Sequence, residues 1–363
     1  MSRVPVIGWD VGGAHLKAAL LDIDGNLRQV IQVPCALWRG LNELEVAIDE
    51  VLSKFSIQTA FHAITMTGEL VDLFSNREVG VVEISRLMQS KLSGTKQFYT
   101  GALNTDFAGF VMVDEVSSLW RHIASANWLA SAGFIAKKVE YGLLIDMGST
   151  TTDFVLIDDH RPSCLGYTDA ARMQTEELVY TGVIRTPLMA LSQKIEFQNN
   201  ITSVVAEYFA TTADVYRLTG DLLAEDDMAD TADGKEKTVD ASAQRIARMI
   251  GYDVEDYPLN TWIMLAKTFK QQQVSRLQEV AKRQISRVKN NSEFRIIGAG
   301  AGSFLVREIA LNLNIQYLEL ADLLNDTQTN HPTDALNHWA SVCLPAYAVA
   351  YLAFNKKNNN NLI

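Results

Sequence analysis

Two stretches of this chain share one local pattern: an apolar strand ending in aspartate, a turn of small residues, and a second apolar strand. In the first, Val4 to Val11 runs into Asp10-Val11-Gly12-Gly13, and His15 to Asp22 resumes the apolar run. In the second, Tyr141 to Asp146 runs into Asp146-Met147-Gly148-Ser149-Thr150-Thr151-Thr152-Asp153, and Phe154 to Asp158 leaves the turn. A short turn between apolar strands folds the second back on the first, so each stretch predicts a hairpin opening a sheet. The two are too unlike elsewhere to form a sequence repeat, but their local logic is the same.

The rest of the chain alternates strand and helix patterns. Asp24-Gly25-Asn26 predicts a tight turn into a third strand over 27–33, and Leu41, Leu44, Ile48, Val51 and Phe55 recur at helical spacing. A buried strand follows at 63–66, then a long helix over 115–138 whose small residues permit close packing. In the second half, helices are expected at 206–218, 241–250, 258–290, 304–313 and 333–354, with strands at 294–297 and 316–320. A length of 363 residues is roughly twice an ordinary domain. The expected division is an N-terminal lobe over 1–138, a C-terminal lobe over 139–355, and a frayed tail over 356–363.

With 32 Lys and Arg against 43 Asp and Glu, the formal net charge is −11. No basic stripe breaks it, which argues against nucleic acid and against an anionic membrane as partners. Six of those charges come from residues 221–240, where eight carboxylates face two lysines, read here as a mobile, solvated surface loop. Apolar runs fall short of a membrane span, no signal-peptide pattern opens the chain, and Cys35, Cys164 and Cys343 lack metal-ligand spacing. The expected compartment is a reducing cytoplasm.

Anionic small molecules remain open to such a chain, because turn amides and one metal ion can hold a phosphate inside an acidic protein. Gly12 and Gly13 let amides face a ligand, Asp10 can hold a divalent cation, and Lys17 can add a point charge. The second turn offers Asp146, Asp153, Gly148 and the hydroxyl run Ser149, Thr150, Thr151 and Thr152. A third turn, Gly298-Ala299-Gly300-Ala301-Gly302-Ser303, precedes a helix, but its alternating glycines do not match the dinucleotide fingerprint, which disfavours a nicotinamide enzyme.

These three turns, in this order, resemble the phosphate-one, phosphate-two and adenosine motifs of the actin-like, sugar-kinase and Hsp70-like ATPase superfamily. Tyr180-Thr181-Gly182-Val183-Ile184-Arg185-Thr186-Pro187 and Thr211-Thr212-Ala213-Asp214-Val215-Tyr216-Arg217 narrow the likeness to the hydantoinase/oxoprolinase group. Within it, the likeness is to the shorter members tied to tetrahydromethanopterin-linked one-carbon transfer and methanofuran biosynthesis. The resemblance implies a two-lobed α/β fold of the actin-like, ribonuclease-H-like type, with mixed sheets, flanking helices and a central cleft lined by the three turns. It implies a transferase joining an aminomethyl-furan methyl diphosphate to the phenol oxygen of a glutamyl-tyramine-like acceptor, with diphosphate released.

On that reading Asp10, Lys17, Asp146 and Asp153 are catalytic, with Asp10 and Asp146 as Mg²⁺ ligands. Gly12, Gly13, Gly148, Ser149, Thr150, Thr151, Thr152, Gly298, Gly300 and Gly302 bind the phosphate-bearing ligand. Asp146, Asp153 and His15 are the candidates for the base. The partners are the diphosphate and the phenolic acceptor, with a role for ATP and a homo-oligomer left open. An ATP-dependent kinase or ring-opening hydrolase, and a non-catalytic nucleotide-binding protein, stand as alternatives. Arg185 is read either as an anion contact or as a surface residue. Asp214 and Arg217 are read as an i,i+3 pair, the tryptophans 120, 128, 262 and 339 as core, and His331 and His338 as structural or surface.

Overall fold

The computed structural model describes residues 4–101, 103, 109–288, 293–324 and 333–360. Its contacts divide the chain into two compact units: Met1–Tyr141 with Ile157–Ser163 and Glu319–Ile363, and Gly142–Leu156 with Cys164–Leu318. This differs from the expected division at 138/139, because the C-terminal segment returns to the first unit.

The first unit begins with β1 (Val6–Val11), β2 (His15–Leu21), β3 (Leu27–Pro34), α1 (Leu41–Phe55), β4 (Phe61–Met66), α2 (Arg77–Lys91), β5 (Lys96–Gly101) and β6 (Gly109–Val111). Helices α3 (Val116–Ile123) and α4 (Asn127–Ala136) follow. The six strands form one sheet in the order β3-β2-β1-β4-β5-β6. The first hairpin is antiparallel, with Asp10 opposite Lys17, and β4 then joins β1 in parallel with Thr65 beside Asp10. At the predicted turn 24–26, the Asp22 carboxylate accepts from the amides of Asp24 and Asn26, both at 2.9 Å.

The second unit contains β7 (Gly142–Met147) and most of β8 (Thr152–Asp158), whose end, with β9 (Arg161–Ser163), falls in the first. It continues with α5 (Asp169–Gln174), β10 (Leu178–Val179), α6 (Leu188–Leu191), β11 (Lys194–Phe197), β12 (Asn200–Ser203), α7 (Thr212–Thr219) and α8 (Val239–Arg248). The long α9 (Leu259–Ile285), β13 (Arg295–Ala299), α10 (Ser303–Asn312) and β14 (Gln316–Glu319) complete it. Its sheet runs β10-β8-β7-β13-β14, with β13 parallel to β7. With β9, which pairs with β8 off the main path, set aside, both sheets place their first five strands in order of appearance as 3-2-1-4-5, so the two similar hairpins occupy equivalent places in equivalent sheets. Three helices close the chain: α11 (Leu320–Leu324), α12 (Asp334–Val342) and α13 (Leu344–Asn360).

Helix α13 explains the return of the C-terminus. On β1, Ile7, Trp9 and Val11 face the core beneath α1 and α2, and Gly8 and Asp10 face the other way. A side chain at Gly8 would strike the Ala346 carbonyl, so glycine and the alanines at 346 and 350 let the helix lie directly on the strand. Helix α13 also packs on the small residues of α4, with Phe134 edge-on to Tyr347 and Tyr351. Lys356 and Lys357, expected in a frayed tail, continue this helix and lie over the rings of Phe110 and Phe61.

Two other expectations are corrected. The helix expected over 115–138 is broken at Ser125, which adopts a positive φ of 50° while its hydroxyl donates to Glu69 at 2.8 Å. The helix expected over 333–354 is broken at Cys343, with Pro345 in the first turn of α13 where no amide is needed. Residues 221–240 are irregular up to Val239, as expected of a loop, but they are tied to the neighbouring helices by ion pairs. Arg217 grips Asp227 through two hydrogen bonds at 2.6 and 2.9 Å, Arg245 reaches Asp233 at 3.1 Å, and Lys270 reaches Asp221 at 2.9 Å. Both arginines also converge on Asp214 Oδ1 at 2.8 Å, and Asp214 is fully buried. The i,i+3 pair read from sequence is thus the visible part of a larger network.

Two stability predictions follow from these buried polar groups. Asp214→Ala leaves two guanidiniums without their shared carboxylate, and a loss of about 3–5 kcal/mol is expected by chemical denaturation. His62 is buried, accepts from Trp9 Nε1 at 3.1 Å through Nδ1, and lies 3.0 Å from the Ser93 carbonyl through Nε2. Burial pulls its pKa down to about 4, so the unfolded chain takes up this proton first as pH falls. Stability is therefore expected to drop by about 3 kcal/mol between roughly pH 6.5 and 4, then level off. The pH slope of the unfolding free energy should shrink in His62→Gln; an unchanged slope would count against this linkage.

Candidate functional site

The two hairpins close identically. Gly12 donates to the His15 carbonyl at 3.1 Å, and Gly148 donates to the Thr151 carbonyl at 2.9 Å. The central carbonyls are then taken by flanking chain. In the first unit, Leu37 and Cys35 donate to the carbonyls of Gly13 and Ala14 at 3.1 and 2.9 Å. In the second, Val183 donates to the Gly148 carbonyl, while Ile184 and Arg185 both donate to Ser149, at 3.1, 3.1 and 2.8 Å. Among the described residues, the amides of Gly13 and Ala14, and of Ser149, Thr150 and Thr151, have no hydrogen-bond partner. A backbone N–H seeks an acceptor, so each turn presents donors to an anion.

The glycine turn after β13 has the same polarity. Gly302 donates to the Met147 carbonyl at 2.8 Å, and Ser303 to the Gly300 carbonyl at 3.2 Å. The amides of Gly300 and Ala301 are left without a partner among the described residues. Gly300 has φ +80°, and a Cβ there would lie 2.7 Å from Asp146 Oδ1. Glycine is therefore required for the carboxylate to rest against this backbone. Gly298 is set apart: it faces Tyr317 and serves packing within the sheet.

The aspartates have different company. Asp10 is 4% exposed, and Asn127 at the start of α4 donates to Oδ1 at 3.4 Å. Its cross-strand partner Lys17 donates to the Val342 carbonyl at 3.1 Å, at the end of α12. The breaks at Ser125 and Cys343 thus put a donor and an acceptor beside the first hairpin. In the second, closure through Gly148 and Thr151 sets Asp153 opposite Asp146, on the sheet face away from Met147 and Phe154. Buried Arg172 donates to Asp153 at 2.8 Å. Burial pushes the Asp153 carboxyl up, and the Arg172 charge opposes that rise. Thr152 turns inward and donates to the Thr181 carbonyl at 2.6 Å.

Residues 180–187 and 211–217, which narrowed the resemblance, are the scaffold of the second turn. Gly182 lies so close to it that a Cβ would sit 2.5 Å from Thr150 N. Thr212 Oγ1 donates to the Gly182 carbonyl at 2.9 Å, and Thr186 Oγ1 accepts from the Gly182 amide at 2.8 Å. Gln273 of α9 donates to Thr181 Oγ1 and the Gly182 carbonyl at 2.8 and 2.9 Å, and accepts from the Tyr216 hydroxyl. Gln273 was missed in the sequence. Its signal is a glutamine four residues after Phe269 and four before Leu277, on the apolar stripe of the helix. Asn127 and Arg172 were also missed, since neither belongs to a turn motif.

Among the described residues, no group of three or more His, Cys, Asp or Glu forms a metal cluster, and no helix is long and apolar enough to cross a membrane. Cys35, Cys164 and Cys343 form no disulfide, and burial raises the Cys35 and Cys164 thiols to about 11 and 12. Trp128 and Trp262 are core residues, His338 lies edge-on to Trp339, and His331 lies outside the described residues.

A family model described as hydantoinase/oxoprolinase matches residues 61–320. The chain belongs to the hydantoinase/oxoprolinase family. The match covers the second hairpin, the 180–187 segment and the glycine turn, and begins after the first hairpin. The chain is also 31% identical over 255 residues to a (4-{4-[2-(gamma-L-glutamylamino)ethyl]phenoxymethyl}furan-2-yl)methanamine synthase of Methanocaldococcus jannaschii, covering 70% of this chain and 73% of that protein. A protein of the same name from Methanococcus vannielii is 37% identical over 136 residues, 37% of this chain and 61% of the relative. Among solved structures, nucleotide-free acetone carboxylase matches with a TM-score of 0.51 and 12% identity, covering 96% of this chain and 70% of that one. With the repeated 3-2-1-4-5 sheets, this is an α/β fold of the actin-like, ribonuclease-H-like type.

The scaffold can be tested without a substrate. Gly182→Ala forces the 180–187 segment off Ser149 and Thr150. We expect a lowered melting temperature, and loss of the Val183, Ile184 and Arg185 amide protection in hydrogen exchange. Unaltered protection would show that the turn does not depend on this contact.

Proposed function

We propose that this protein is a transferase that makes a furfuryl aryl ether. The donor is an aminomethyl-furan methyl diphosphate, the acceptor is the phenol of a glutamyl-tyramine-like molecule, and diphosphate leaves. The name carried by the two relatives contains the phenoxymethyl-furan linkage that such a reaction forms. The observation that carries the reading is the second turn, where unpartnered amides at Ser149, Thr150 and Thr151 follow the strand that carries Asp146, whose Oδ1 lies against the Gly300 backbone.

In the reaction the bond between the furfuryl CH2 and the diphosphate oxygen breaks, and its electron pair leaves with diphosphate. The phenol oxygen forms the new bond to CH2, and the phenol proton passes to a base. The furan ring spreads positive charge from the departing CH2, so stabilising the leaving group is the main demand on the protein. Turn amides meet it without reorganising, because the 180–187 segment and Gln273 already hold them. The phosphate-one hairpin, with the amides of Gly13 and Ala14 beside Asp10 and Lys17, has the same donor chemistry.

Mg²⁺ suits this donor set. Asp146 sits against bare glycine backbone, and Mg²⁺ is often held by one or two carboxylates, with waters and phosphate oxygens completing its shell. Asp146, and Asp10 in its own unit, are the residues that would hold it. The ion supplies charge neutralisation at the leaving diphosphate. Asp146, Asp153 and His15 remain the residues able to accept the phenol proton. Asp153 is half-buried, and the Arg172 guanidinium beside it opposes the upward push of burial on its carboxyl.

The test is to incubate the protein with the furfuryl diphosphate, glutamyl-tyramine and Mg²⁺ and to seek the ether by mass spectrometry. Product is expected with wild type. Asp146→Asn should lower turnover by roughly 100-fold or more, because it weakens the hold on the ion that would neutralise the leaving diphosphate. No ether from folded, metal-supplied protein would overturn the assignment, and nucleotide turnover in its place would favour an ATP-dependent activity.

A further inference from the structure

We infer that Arg185 is the side-chain contact through which the second turn recognises an oxyanion of its substrate. This deepens the proposed function, since it names a recognition residue at the same turn. Its backbone is fixed there: the Arg185 amide donates to the Ser149 carbonyl at 2.8 Å. Its flanks are locked as well, because Ala213 donates to the Ile184 carbonyl at 3.3 Å and Thr212 donates to the Thr186 carbonyl at 2.9 Å. Arg185 thus starts within one peptide of a turn presenting three unpartnered amides.

Its side chain is the exception in this segment. From Thr181 to Thr186 every residue is buried except Arg185. The other arginines near this scaffold are engaged: Arg172 with Asp153, Arg217 with Asp214 and Asp227, and Arg245 with Asp214 and Asp233. Arg185 has no hydrogen bond or ion pair from its guanidinium among the described residues. Surface arginines such as Arg276 share that freedom, but Arg276 lies on α9 and is not tied to a turn. An exposed guanidinium anchored beside vacant amide donors makes one anion-binding surface, and its planar fork suits phosphate or carboxylate equally. Both groups occur in the proposed reaction, as the diphosphate of the donor and the glutamyl carboxylate of the acceptor.

Binding of two probes separates these sources and does not depend on turnover. Inorganic diphosphate with Mg²⁺, and glutamyl-tyramine against tyramine, are titrated calorimetrically into wild type, Arg185→Gln, Arg185→Lys and the surface control Arg276→Gln. If Arg185 meets phosphate, Arg185→Gln weakens diphosphate binding by roughly 10- to 100-fold, the range of a charged hydrogen bond. If it meets the carboxylate, the preference for glutamyl-tyramine over tyramine collapses by a similar factor while diphosphate affinity holds. Arg185→Lys should fall between wild type and glutamine, and Arg276→Gln should stay within about twofold of wild type. Wild-type affinity for every probe in folded Arg185→Gln would overturn the inference. Ether formation fails or succeeds separately, so a diphosphate effect in an enzyme that makes no ether would remove the reaction and leave the anion contact standing.

Discussion

The fold's chemistry depends on which half of each peptide its turns leave over. A hairpin turn exposes both carbonyls and amides, and one that leaves its carbonyls free would repel an anion. Here the carbonyls are taken by neighbouring chain: Leu37 and Cys35 at the first hairpin, and Val183, Ile184 and Arg185 at the second. What remains is donor chemistry in a protein with a net charge of −11. Anion recognition is therefore local, built from oriented dipoles, and does not need a favourable overall field.

That arrangement extends well beyond the turns. The 180–187 segment can cap the second hairpin because Gln273 and Thr212 satisfy its own buried carbonyl at Gly182. Gln273 in turn is held by Tyr216 on α7, and α7 is fastened through Asp214 to Arg245 of α8 and through Arg217 to Asp227. Three of the eight carboxylates of residues 221–240, Asp221, Asp227 and Asp233, are thus held in ion pairs that fix the scaffold. A buried network of this kind adds little net stability over an apolar alternative, but breaking it is costly, which makes the position of the turn well defined.

The hairpins were legible in the sequence because their evidence is local: apolar strands, a terminal aspartate, glycine or hydroxyl turns. The sheet order was not, since pairing of β1 with β4 and of β7 with β13 joins residues more than fifty positions apart. Helix α2 and strands β5 and β6 carried too little periodicity to be drawn. The breaks at Ser125 and Cys343 were invisible for a different reason. Ala124, Ser125 and Ala126 read as helix by propensity, whereas the left-handed Ser125 donates its hydroxyl to buried Glu69, a contact with a residue remote in sequence. Tertiary contact overrode a weak local preference at the point where Asn127 is needed beside Asp10.

The two hairpins also show where equivalent frameworks part. Each places an aspartate at the end of its first strand, and the residue opposite decides the local charge. In the first unit it is Lys17, so the pair is neutral, and its amine is drawn to the Val342 carbonyl. In the second it is Asp153, so two carboxylates share one sheet face, a pairing that Coulomb repulsion alone would disfavour. Arg172, almost wholly buried against Asp153, supplies the compensating charge from behind. The net charge at the first hairpin is thus met by a neighbour in the strand, and at the second by a residue from α5. Asp146 Oδ1 itself rests against the Gly300 backbone, which carries no side chain.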